Sequence, residues 1–150
     1  MWVIFVIVVV AYVTLRLVIG AASPRPVNLG PQGARLLECS PSPNCVSSQA
    51  ERADQRVEPL KFTGTVKDAK LRLRQAVESM SGARVLRDEG NYLYAEYRTR
   101  VFGFIDDVEF LVDESASVIH VRSASRLGYS DLGTNRRRVE ALRQAFAAGK

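Results

Sequence analysis

Histidine, tryptophan, methionine and cysteine are scarce in this chain, with one His, one Trp, two Met and two Cys, and those scarcities exclude several chemistries. A structural zinc site wants four ligands, which two cysteines and one distant histidine do not supply. A Ser-His-Asp hydrolase triad is poorly served by His120 alone, and Ser123 and Ser125 lack the sharp glycine-flanked turn of a nucleophile elbow. The glycine pattern contains neither a Walker loop nor a GxGxxG fingerprint. No internal repeat or low-complexity tract is present. Charge of one sign is not in large excess: 21 Lys and Arg against 16 Asp and Glu give +5, interleaved along the chain. That excess is compatible with anionic partners, but without a continuous basic stripe it does not point to nucleic acid.

What is abundant is an apolar start. Trp2 to Ala22 reads WVIFVIVVVAYVTLRLVIGAA, interrupted only by Arg16 and softened by Thr14. At about 1.5 Å per residue this run reaches roughly 30 Å, the thickness of a bilayer's hydrocarbon core. Arg16 lies near the C-terminal end, where a long side chain snorkels to the headgroups, and Trp2 and Tyr12 are residue types of membrane interfaces. Residues 1–22 are therefore expected to be a transmembrane anchor. A cleaved signal peptide is the competing reading, because Gly20-Ala21-Ala22 precedes Ser23; the absent basic n-region and the length of the run speak for the anchor.

Orientation is contested by two signals. Arg16, Arg25 and Arg35 follow the apolar run, which by the positive-inside tendency favours a cytoplasmic domain. Cys39 and Cys45, with five residues between them in a Pro-rich stretch, favour an oxidising compartment such as the periplasm if they pair; two reduced thiols are the other reading.

Residues 23–35 hold three prolines and two glycines and are expected to be a linker. Residues 36–148 are expected to form a single α+β domain. Its first part, to about Asp54, lacks periodicity and reads as a loop, and Val57–Thr63 reads as a short edge strand. Val66–Met80 places Val66, Ala69, Leu73, Ala76, Val77 and Met80 on one helical face, with Thr65 as N-cap and Gly82 beyond the end. Four strand-like runs follow, 83–87, 92–101, 107–112 and 118–124, and a helix over 135–148. This order predicts an antiparallel sheet of four to five strands with two helices packed on one face. Alternation turns Leu93, Ala95, Tyr97, Ile119 and Val121 one way and Tyr92, Tyr94, Glu96, Arg98, His120 and Arg122 the other.

The chemistry is concentrated in VFGFIDDVEF and VRSASRLGYSDLGTNRRR. Asp106, Asp107 and Glu109 fall within four positions, with Asp107 and Glu109 sharing a strand face. Arg136, Arg137 and Arg138 stand in the first turn of the last helix, where cations oppose the helix dipole and call for a nearby anion. Two readings follow. In one, Asp131 with Asp106, Asp107 or Glu109 forms an ion-pair network pinning helix to sheet. In the other, Arg122, Arg126, Asp131, Asn135 and Arg136 line a binding site for a small anionic or lipid-like ligand, with backbone N–H groups contributing. An enzyme using Asp107 or Glu109 as general base is the alternative class. The carboxylates could in principle hold a hard cation, but adjacent arginines compete for them, so neither metal nor cofactor is expected.

The runs CSPSPNCVSS, GFIDDVEF and VRSASRLGYSDLGTNRRRVE resemble the signature of the family called domain of unknown function 1499, over about Leu36 to Phe146. The resemblance implies an N-terminal hydrophobic segment and one domain; it brings no activity, cofactor or catalytic residue with it. The order of elements is also similar to helix-grip proteins, which hold hydrophobic ligands between sheet and C-terminal helix. Expected partners are thus the membrane and either an anionic or amphipathic ligand or another protein.

Overall fold

A computed structural model describes residues 1–149. Nine elements follow one another: α1 (Trp2–Ala21), β1 (Cys45–Ser47), β2 (Leu60–Lys61), α2 (Val66–Glu78), β3 (Ala83–Glu89), β4 (Tyr92–Arg98), β5 (Ile105–Asp113), β6 (Val118–Ser125) and α3 (Thr134–Ala148). The strands form one antiparallel sheet in the order β1-β6-β5-β4-β3, with β2 also paired to β6 beside β1. The fold is α+β as expected, but with six strands rather than four or five. The strand missed is β1: three residues carry no readable alternation, and it exists because Cys45, Val46 and Ser47 find partners in Ala124, Ser123 and Arg122. β4 stops at Arg98 instead of 101, because Gly103 at φ +77 closes a turn in which Thr99 donates to the Phe104 carbonyl at 2.9 Å.

Local chemistry accounts for the helix bounds. Thr65 Oγ1 accepts from the Asp68 amide at 3.1 Å and so caps α2. After α2, Gly82 sits at φ +81, and a Cβ there would fall 2.3 Å from the Arg98 carbonyl oxygen, so only glycine lets the chain turn against β4. α2 and α3 cover one face of the sheet. Their apolar stripes, Leu73 and Val77 with Val139, Leu142 and Phe146, close over Leu93, Val108, Phe110, Ile119 and Val121, all of them buried.

The second face is covered too, by the segment that follows α1. Leu36 and Leu29 pack with Tyr92, Tyr94, Leu111 and Leu86 in a smaller cluster. Ser23 is buried at the start of this strap, and its hydroxyl donates to the Ile19 carbonyl at 2.6 Å, so the end of α1 and the strap are joined. A disulfide links Cys39 to Cys45, with Cα atoms 5.6 Å apart, and fastens the chain beyond the strap to the first residue of β1.

α1 differs from every other element. Its apolar side chains from Trp2 to Val18 are exposed on all sides, and Ile19 is its one buried residue. It is long and apolar enough to cross a membrane.

Candidate functional site

β5 presents its three acids to two different layers. Asp106 points toward the helices, whereas Asp107 and Glu109 point toward the strap, and all three are buried. A buried carboxylate is tolerated only where cations and donors replace its hydration, and each of the three has its own set.

On the helix side, Asp106 forms an ion pair with Arg138 of α3. The same guanidinium lies 4.9 Å from the centroid of the Tyr97 ring and donates to Asn135 Oδ1 at 2.6 Å and to Ser123 Oγ at 3.1 Å. Asn135, fully buried, spends its amide on the Asn44 carbonyl at 3.0 Å and Ser125 Oγ at 2.9 Å. Asp131 accepts from the amides of Gly133 at 2.9 Å and Asn135 at 2.6 Å. It therefore supplies the negative charge that the N-terminus of α3 requires.

On the strap side, Glu109 is 0% exposed and receives Arg122 Nη1 at 3.0 Å, the Tyr92 hydroxyl at 2.8 Å and the Gly30 amide at 2.8 Å. Asp107 receives Arg126 Nε at 2.9 Å, Arg126 Nη2 at 2.7 Å and the Tyr94 hydroxyl at 2.7 Å. Arg126 also pairs with Glu96 and donates to the Ser23 carbonyl at 3.0 Å; Arg25 of the strap closes on Glu96 at 2.9 Å. Strap, β4, β5 and the end of β6 thus meet in one network.

Its electrostatics favour permanence. Burial pushes the Tyr92 and Tyr94 phenols well above their ordinary range, reinforced by Glu109 and Asp107 respectively, so both stay protonated donors. Burial alone would raise the Glu96 carboxyl, yet hydrogen bonds from Arg126 and Arg25 hold it below the usual glutamate range. Burial opposes the charge on Arg126, but Asp107 and Glu96 outweigh it and raise its pKa further.

The five residues expected to line one ligand site are divided by the sheet. Arg122 and Arg126 belong to the strap side, and Asp131 and Asn135 to the helix side. Arg136 caps loop carbonyls instead, donating to Arg56 at 2.9 Å and Asp54 at 2.7 Å. The arginine of α3 that does meet a β5 acid is Arg138. A helical period through Asn135, Arg138, Val139 and Leu142 marks it as inward-facing, and that signal was present in the sequence. Arg25 and Gly30, by contrast, lie in a Pro- and Gly-rich stretch that carries no such signal.

His120 lies beside Ser48, with Nδ1 3.2 Å from Oγ, and its Nε2 stands 4.0 Å from Asp113. Burial lowers the imidazole pKa and keeps it neutral. Ser48 Oγ already accepts the Val121 amide at 3.0 Å, and Asp113 Oδ1 accepts from Ser115 at 2.6 Å and Ala116 at 3.0 Å, so the trio ties the sheet edge together rather than freeing a nucleophile. Among the described residues no group of three His, Cys, Asp or Glu side chains is placed to hold a metal ion.

Concave space reaches Asp106 and Asp131 beneath the β4–β5 turn, and a second cavity lies away from the acids. Between β2 and the helices opens a cavity of about 510 Å³, walled by Leu60, Phe62 and Phe146, with Arg72, Arg143 and Lys61 among its lining side chains. Arg143 is committed to the carbonyls of Pro59 at 2.8 Å and Glu58 at 2.6 Å. Arg72 stacks 5.0 Å from the Phe146 ring centroid and donates to the Thr63 carbonyl, while its buried Nε finds no acceptor.

With this geometry in hand, comparison with known proteins adds one finding: residues 35–146 match the family described as Protein of unknown function (DUF1499). The chain belongs to this family. No curated protein and no solved structure matches it. The DUF1499 match takes in every acid and arginine of the β5, β6 and α3 network but only the last two residues of the strap, so Ser23, Arg25 and Gly30 complete the network from outside the matched region.

Arg126→Ala, which leaves Asp107 and Glu96 without their shared cation, lowers unfolding free energy by about 3–5 kcal/mol in urea titration, whereas Arg136→Ala at the surface costs less than about 1 kcal/mol. Glu96 is depressed in the folded state, so its stabilisation is present above the ordinary glutamate range and is lost as pH falls through its folded value. Glu96→Gln therefore flattens the acid limb of the stability profile, measured by thermal unfolding from neutral pH downward.

Proposed function

We propose that the protein is a membrane-tethered, non-enzymatic binding module that holds an anionic amphiphile in the cavity between β2 and the helices. α1 supports the tether, and the Cys39–Cys45 disulfide supports a domain in an oxidising compartment, the periplasm or its equivalent. The joined Ile19–Ser23 turn, built into the fold rather than left free, favours an uncleaved anchor over a signal peptide.

The observation that carries the ligand is the pairing of apolar walls with the Arg72 guanidinium, which lines the same cavity with no carboxylate partner. Leu60, Phe62 and Phe146 suit an alkyl chain, and Arg72 suits a charged head. The enzymatic alternative loses support, because Asp107 and Glu109 are each paired with arginine and tyrosine in a buried layer and do not face open space. Arg122, Arg126, Asp131 and Asn135 serve the fold in this reading.

The test uses the full chain in phosphatidylcholine nanodiscs and decyl phosphate as probe. Decyl phosphate raises Tm with concentration as expected for a ligand of the native state, and inorganic phosphate does not. In Arg72→Gln the rise is lost while the basal Tm stays within a few degrees. No rise in the unmodified chain, or an equal rise in both chains, contradicts the assignment.

A further inference from the structure

The end of the sheet opposite the β3–β4 and β5–β6 turns is apolar where a domain in water is polar. Val101, Phe102 and Phe104 of the β4–β5 turn are exposed, as are Tyr129 and Leu132 of the β6–α3 loop, the last two at 77% and 84%. The Phe102 and Phe104 rings lie 6.1 Å apart, and the two loops together line a largely apolar cavity of about 470 Å³. Leu132 is held at φ +51, a left-handed conformation unfavourable for an L-residue, with its amide donating to Ser130 Oγ at 3.3 Å and its carbonyl accepting from Arg137 at 2.8 Å. The backbone is thus fixed by the loop while the leucine side chain is left in the open.

This end is fastened to α1. The Tyr12 hydroxyl donates to the Val101 carbonyl at 2.7 Å, and Arg16 Nη1 donates to the Arg100 carbonyl at 3.2 Å. Gly103, at φ +77, lies so close to the helix that a Cβ would stand 3.2 Å from Arg16 Nε. Tyr12 and Arg16 precede the helix end at Ala21 by nine and five residues, or about 8–14 Å along the axis. On a helix spanning a core of about 30 Å the Tyr12 backbone stands near the midplane, and the Tyr12 and Arg16 side chains, reaching back toward the headgroups, hold the turn within the leaflet on the domain's side. Arg98 and Arg100 are exposed around the apolar tip, and Arg16 is half-buried against it. Cations at that depth complement anionic headgroups.

We infer that Val101, Phe102, Phe104, Tyr129 and Leu132 form a bilayer-docking face, inserted at the boundary of headgroups and acyl chains, which holds the domain at a fixed angle on the membrane. The occupant is the lipid surface itself, because the face is continuous with the apolar helix and flanked by Arg98 and Arg100. The inference rests on the anchor reading of α1 and is independent of the cavity beside β2.

Trp2 is the sole tryptophan, which makes depth measurable. The full chain carrying W2F and F102W is reconstituted in vesicles of phosphatidylcholine and phosphatidylglycerol brominated at shallow or deep acyl positions; the chain with its native Trp2 serves as a parallel reporter of α1. Docking gives blue-shifted emission from position 102, quenched more by shallow than by deep bromines, and adding V101D and F104D abolishes that quenching without changing the quenching of Trp2 in the matching V101D and F104D chain. If Trp2 is quenched and position 102 is not, the domain is tethered but stands clear of the bilayer, and docking is wrong while the anchor stands. If neither is quenched, the anchor reading fails and docking falls with it.

Discussion

A carboxylate removed from water must be met by positive charge and by hydrogen-bond donors, and β5 removes three of them over four positions. Most of the second layer of this structure follows from that constraint. Asp107 and Glu109 draw in Arg126 and Arg122 from the neighbouring strand and its following turn, and the Tyr94 and Tyr92 hydroxyls from the strand on the other side. Their remaining demands are met by backbone and side-chain groups of the strap, the Gly30 amide and the Ser23–Arg25 segment. Such pairs are seldom more stabilising than apolar residues of the same volume. What they add here is register, because a slip of one residue in β5 moves Asp107 and Glu109 to the helix face, away from every cation that now satisfies them.

The same constraint links the domain to α1. The strap runs from the buried Ser23 at the foot of the helix across the acidic layer to Leu36, and the disulfide then secures the chain to β1. A Pro- and Gly-rich connection would ordinarily give a tethered domain free rotation. Here its backbone groups are partners of buried charges, so helix and domain are held as one piece. The DUF1499 match holds the residues that create the need for such a cover, while most of the cover, from Ser23 to Ala34, lies before the matched region.

Much of this was legible from alternation and helical period. The split of Asp106 from Asp107 and Glu109, the two-faced β4, the Thr65 cap and the glycine after α2 were all readable, because each is fixed by local geometry. The partners of the acids were less so. Cations in the first turn of α3 call for an anion, and Asp131 with one of the three β5 acids is readable as its source; that Asp131 meets the amides and Asp106 the third arginine depends on how α3 is rotated against the sheet. β1 and the strap were illegible for a different reason. Three paired residues have no period, and contacts made through the Gly30 amide or the Ser23 carbonyl use groups that almost any sequence offers.

The claim on which the account turns is that the strap is a fixed cover over buried charge and not a flexible leash. Amide hydrogen exchange of the full chain in nanodiscs, followed by mass spectrometry on peptides spanning residues 24–36, measures it directly. Slow exchange is expected at Gly30 and Leu36, whose amides donate to Glu109 and Gln49 at 2.8 Å each, with Gly30 released when Glu109 is replaced by Ala. Exchange across the whole segment at the rate of an unstructured peptide would contradict it.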